Sequence, residues 1–212
     1  MESDAGTALR PLKKVPFVVS LVIVLLMAVA YTVLDILQLH EPALSILAFI
    51  PGTISILALL SAGFDRHECY LRFARLSRAG ALALALTTVL LLPILSSSTA
   101  WGGWDWLPAL VYAPASGLAQ ELYFRSGLLP ALEKAFQGNK KSALFAHAVI
   151  FVAFHYRTFR TIPSAGPGIV VAIVLLLAGC GWGWQVQRDR TVAWAVVQHS
   201  FFLVLMSMFD WA

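Results

Sequence analysis

Between Phe17 and Leu34 no charged side chain interrupts the chain, and a run that long and that apolar has few ways to fold. At ~1.5 Å per residue it crosses most of a hydrocarbon layer roughly 30 Å thick. Inside such a layer the backbone finds no water, so its polar groups must be satisfied within a helix. The run continues past Asp35, so the first stretch covers residues 17–39. Six further apolar stretches follow, at about 43–64, 79–95, 107–132, 142–156, 167–186 and 191–209. The fifth is short for a full crossing, and Pro163, Pro167 and Gly168 break the pattern before the sixth. The expectation is an all-α, polytopic transmembrane helix bundle of about seven spans, with six to eight as its range.

Composition agrees with that class. Only 12% of the residues are charged, against about 25% in soluble domains, and the mean hydropathy is +0.80. The first run lacks an Ala-x-Ala end and reads as a retained helix rather than a cleaved signal. The net charge of +4 does not indicate nucleic acid, because the basic residues fall in short loops between spans. Arg10, Lys13, Lys14, Arg66, Arg72, Arg75, Arg78, Lys134, Lys140, Lys141, Arg188 and Arg190 share one side, 12 of the 15 Lys and Arg residues. The positive-inside rule then predicts an integral membrane protein with a cytoplasmic N-terminus and, for seven crossings, an external C-terminus. Ser96, Ser97 and Ser98, followed by Trp101, Trp104 and Trp106, read as an interfacial loop with aromatic anchors. Cys69 and Cys180 have no metal or redox spacing and read as unpaired. Residues 1–106 read as generic membrane helices and residues 107–209 as the part that carries chemistry.

The fourth stretch holds Gln120-Glu121-Leu122-Tyr123-Phe124-Arg125. A charge at bilayer depth costs roughly 2.5–3.5 kcal/mol on insertion scales, so such residues pair, face inward and mark function. At i and i+4, Glu121 and Arg125 lie on one helical face. Arginine stays protonated and keeps Glu121 as a carboxylate that can accept a proton. An ion pair that only locks helix packing fits the same spacing. Later stretches carry His155 and His199. Neutral imidazole both donates and accepts, which suits a water or an oxyanion, although a lone histidine on an apolar helix also serves as a packing residue. His147 reads as interface or core, and His40 and His67 as loop residues.

Taken in order, Gln120-Glu121-x-x-x-Arg125, Phe151-x-x-x-His155 and His199 resemble the CAAX protease and bacteriocin-processing family. These are glutamic intramembrane endopeptidases, also called the Abi family. The stretch from Gly181-Trp182-Gly183-Trp184 to His199 is similar to the family's approach to its last histidine, and the likeness covers about 107–206. The resemblance implies a water held between Glu121 and His155 that attacks a scissile carbonyl without a covalent intermediate. His199 becomes an oxyanion donor, and Arg125 orients and charges the acidic motif. It implies no cofactor. The substrate is a membrane-anchored protein or peptide met in the lipid bilayer, such as a CAAX tail, a sorting signal or a bacteriocin leader.

Two positions depart from the family pattern. Gln120 stands where a first glutamate is usual, and Leu203 where Asn or Asp is usual. Gln198 and Ser200 flank His199 and are the polar candidates to replace the missing Asn, though they point to other faces. Three rival readings share these residues. One is a zinc site of Glu121, His155 and His199, without a His-Glu-x-x-His helix to support it. A second is serine catalysis at Ser116, in a small-residue Pro-Ala-Ser-Gly turn. The third is a non-enzymatic immunity or peptide-binding protein of the same family, suggested by Gln120 and Leu203.

Overall fold

Each of the long apolar stretches is helical in the computed structural model, which describes residues 15–37, 43–96, 100–101, 105–156, 159 and 165–210. Arg10, Lys13, Lys14, His40, Ser97, Ser98, Trp104, Arg157, Arg160 and Pro163 lie outside the described residues. Helix α1 covers Phe17–Ile36 and presents Val18, Leu26 and Val29 outward. An apolar outer surface suits a helix whose solvent is hydrocarbon. By length and composition α1 and α8 (Ala165–Asp189) are long and apolar enough to cross a membrane, while Phe49–Ser61, Arg78–Leu92 and Ala193–Met206 are shorter apolar helices.

The second stretch is not the single helix expected over 43–64. It divides into α2 (Ala43–Leu47) and α3 (Phe49–Ser61), with the break at Ala48. Pro51 supplies the reason, since it has no N–H and its ring clashes with the carbonyl four residues back, at Leu47. Helix α4 spans Arg78–Ser96.

The fourth stretch alternates two helical forms. A π-helical segment, Pro108–Tyr112, leads into α5 (Ala113–Glu121), and a second, Leu122–Leu128, leads into α6 (Leu129–Ala135). Wide π turns inside α-helices are frequent at functional sites, and the second one begins directly after Glu121. Helix α7 (Lys140–Phe154) starts at Asn139, whose side-chain oxygen accepts from the Ser142 N–H at 3.1 Å. Helix α9 is Ala193–Met206. A two-residue antiparallel bridge pairs Ala100–Trp101 with Phe209–Asp210.

Helix α8 packs on both α4 and α7, α1 on α3, α3 on the second π segment, and α5 on α9. The last pairing is unusually close. A Cβ at Gly117 would lie 2.5 Å from Ser200 Oγ and 2.9 Å from Ser200 Cα, so only glycine lets the two backbones touch there. One turn along α5 from that contact stands Glu121, and directly beside Ser200 on α9 stands His199. At the basic end of the helices a loop is pinned by polar contacts. Tyr70 Oη donates to Glu133 at 2.7 Å, Gln187 Nε2 donates to Glu133 Oε1 at 2.7 Å, and the Arg190 guanidinium lies 4.8 Å above the Tyr70 ring.

Candidate active site

Glu121 closes α5 and Arg125 lies within the π turn that follows, so both side chains enter the helix bundle. Both are fully buried. Arg125 Nε stands 3.1 Å from Glu121 Oε2, while the other carboxylate oxygen, Oε1, meets His199 Nδ1 at 2.7 Å. The partner of Glu121 is therefore His199 of α9. A carboxylate oxygen that accepts from Nδ1 fixes the proton on that nitrogen, leaving Nε2 for other chemistry.

The Arg125 charge rests among rings rather than among aligned hydrogen-bond acceptors. Its guanidinium carbon is 4.7 Å from the Phe151 centroid, 5.3 Å from Trp182 and 5.7 Å from Phe124. Among the described residues none of its nitrogens has an aligned hydrogen bond. Cation–π attraction and the Glu121 charge together offset part of the cost of burying it. With Arg125 positive, Glu121 negative and His199 neutral, the buried trio carries no net charge, the cheapest arrangement in an apolar interior.

His155 caps the end of α7. Its Nδ1 lies 2.8 Å from the Phe151 carbonyl oxygen. A carbonyl only accepts, so Nδ1 carries the proton and Nε2 of the neutral ring keeps its lone pair. Phe151 thus joins the site twice, through its carbonyl to His155 and through its ring to Arg125.

A cavity of about 290 Å³ opens beside these groups, lined by Ser116, Gln120, His155, Trp182, His199 and Leu203 together with aliphatic and aromatic side chains. Glu121 is not on its wall. Gln120 is, so the position that carries a glutamate in the family pattern presents an amide to the cavity. Gln120 Nε2 donates to Ser116 Oγ at 3.2 Å, and its Oε1 is buried with no partner among the described residues. The Ser116 hydroxyl therefore meets an amide instead of an imidazole. No group of three His, Cys, Asp or Glu side chains suited to a metal ion occurs among the described residues.

Neither candidate substitute for the missing Asn reaches the cavity. Gln198 accepts from Trp182 Nε1 at 2.6 Å and donates from its own amide nitrogen to the Leu84 carbonyl at 2.6 Å. Ser200 Oγ donates to the Pro114 carbonyl at 3.3 Å. Both residues sit on other faces of α9 from Leu203, which does line the cavity. His147 is fully buried, and neither ring nitrogen has a partner among the described residues.

Trp182 stands out as a member of the site that sequence reasoning did not assign. Its indole stacks on the His199 ring at 4.7 Å and an interplanar angle of 21°. The Gly-Trp-Gly-Trp run held the signal, but an aromatic among glycines in an apolar helix reads equally as packing.

A family model described as "Type II CAAX prenyl endopeptidase Rce1-like" matches residues 100–205, which include Ser116, Gln120, Glu121, Arg125, Phe151, His155, Trp182, His199 and Leu203. No curated protein matches the chain. No solved structure matches it.

Proposed function

Since the chain belongs to the Rce1-like type II CAAX prenyl endopeptidase family, whose members are intramembrane proteases, we propose that it hydrolyses a peptide bond of a membrane-anchored protein or peptide. The observation that carries this reading is the buried Arg125–Glu121–His199 chain, whose histidine opens onto a cavity shared with His155. His199 is the general base and Glu121 acts through it. The carboxylate holds the ring in the tautomer with a free Nε2 and stabilises the imidazolium once a proton arrives, the logic by which a buried acid orients a catalytic histidine. Arg125 balances the carboxylate.

The nucleophilic water donates one hydrogen to His199 Nε2 and the other to His155 Nε2, which aims its lone pair at the carbonyl carbon. His199 takes the proton as the C–O bond forms. The remaining N–H of Gln120 faces the oxyanion, a role an amide performs and a carboxylate does not; one such donor is worth roughly 2.7–4 kcal/mol in the transition state. Collapse of the tetrahedral intermediate breaks the C–N bond, and the imidazolium returns its proton to the leaving amine. The products are a carboxylic acid and an amine.

The substrate is an apolar-flanked tail held in the bilayer, prenylated CAAX tails among them. The test is cleavage of membrane-anchored peptides by the purified chain in lipid vesicles, read by mass spectrometry in ¹⁸O-labelled water. Cleavage with one ¹⁸O in the new carboxyl group, abolished in His199→Ala, is the expected result. Wild-type levels of cleavage in His199→Ala would overturn the assignment.

A further inference from the structure

Building on His199 as the base, we propose that Trp182 is its positioning residue and that Gln198 is the strut that holds Trp182 in place. Trp182 is 2% exposed, and three of its faces or edges are occupied. The flat of the indole lies on His199, Arg125 approaches the ring at 5.3 Å, and Phe151 meets it edge-on at 6.0 Å and 87°. One ring system therefore contacts both groups that flank the Glu121 carboxylate. Its only donor, Nε1–H, is committed to Gln198 Oε1.

The Gln198 amide does more than accept. Its nitrogen donates to the Leu84 carbonyl at 2.6 Å and to Thr88 Oγ1 at 2.5 Å, both on α4. A single amide thus ties α4, α8 and α9 together behind the indole. Gln198 precedes His199, so the two side chains leave α9 about 100° apart. That separation lets Gln198 brace the indole against α4 while His199 faces the cavity.

The stack has a chemical consequence beyond packing. An aromatic face is electron-rich and attracts a cation more strongly than a neutral ring. Imidazole becomes a cation only as it takes the proton from water, so the contact strengthens on the way to the transition state. Interactions that strengthen at that point raise kcat and leave KM unchanged. Phenylalanine keeps an aromatic face at position 182 without the N–H, whereas leucine keeps only apolar bulk.

The experiment is kinetic, with the full chain in vesicles and a membrane-anchored fluorogenic peptide, comparing wild type, His199→Ala, Trp182→Leu, Trp182→Phe and Gln198→Met. Trp182→Leu is expected to lose ten-fold or more in kcat at unchanged KM, and Trp182→Phe to recover most of it. Gln198→Met, which leaves the indole in the core, is expected to lose three- to ten-fold in kcat alone. Wild-type kcat in Gln198→Met, or equal kcat in Trp182→Leu and Trp182→Phe, overturns the positioning role. If Trp182→Leu does not fold, Gln198→Met decides. Failure of the base assignment looks different, because His199→Ala would then cleave like the wild type.

Discussion

The Nδ1 atom of His199 lies 2.7 Å from Oε1 of Glu121, across the contact between α5 and α9. The Glu121 carboxylate is thereby joined to the last histidine of the motif set and kept off the cavity wall. On the proposed mechanism, chemistry at the cavity runs through imidazole, and the consequences can be tested residue by residue.

Removing Arg125 leaves Glu121 as a buried charge without its counterion. Arg125→Met should lower stability by ~3–5 kcal/mol, the usual penalty for breaking a buried pair from one side. Adding Glu121→Gln in the same chain removes the orphaned charge and should restore a large part of that loss. Thermal unfolding of the two variants in detergent measures both effects.

Gln120→Glu probes the first position of the acidic motif. With the Gln120 amide facing the oxyanion, a carboxylate in its place should lower kcat by about 10²-fold. A gain in kcat would instead mean that the native site is impaired by its amide and that the missing glutamate is the better base. Steady-state cleavage in vesicles separates these outcomes.

The contact that brings Glu121 to His199 depends on Gly117. In Gly117→Ala the new methyl would meet the Ser200 backbone, so α5 and α9 must move apart. A loss of ~1–3 kcal/mol is expected, with a fall in kcat because the Glu121–His199 hydrogen bond lengthens. Gly168→Ala is the control, since nothing lies within 4 Å of a Cβ there. Unfolding and cleavage of both variants provide the comparison.

Cys69, in the loop at the basic end of the helices, should be chemically silent. Burial, with Glu68 and Asp65 adding to it, pushes its thiol up to about 12. Only the thiolate is alkylated, so at pH 8 its labelling should be slower than that of an ordinary cysteine by about 10³-fold. Maleimide labelling of a Cys180→Ser chain, before and after denaturation, tests this. Fast labelling of the folded chain would contradict it.

Much of the site could be read from the sequence because lipid makes polar residues expensive. Glu121, Arg125 and His199 stood out as costly on apolar helices, and the structure brings all three together. The order of the short motifs carried the family resemblance, which the match over residues 100–205 supports. Partnership was harder to read. Whether Glu121 meets His155 or His199 depends on which helices touch, and that is decided by the Gly117–Ser200 approach and by the π turn after Glu121, neither of which leaves a periodic trace. The division of the second stretch at Ala48 was encoded in Pro51, although hydropathy alone runs straight through it. Trp182 escaped because stacking and ordinary packing select the same residue.

The most direct measurement is the kcat of Glu121→Gln in vesicles, set against the wild type with the same membrane-anchored peptide. This change keeps the shape of the side chain and deletes the charge behind His199. With Glu121 acting through His199, kcat is expected to fall by about 10²–10⁴-fold, in line with the loss of a buried acid behind a catalytic histidine, with KM unchanged. A kcat within about three-fold of wild type would contradict it, since an imidazole with no carboxylate behind it would then serve equally well.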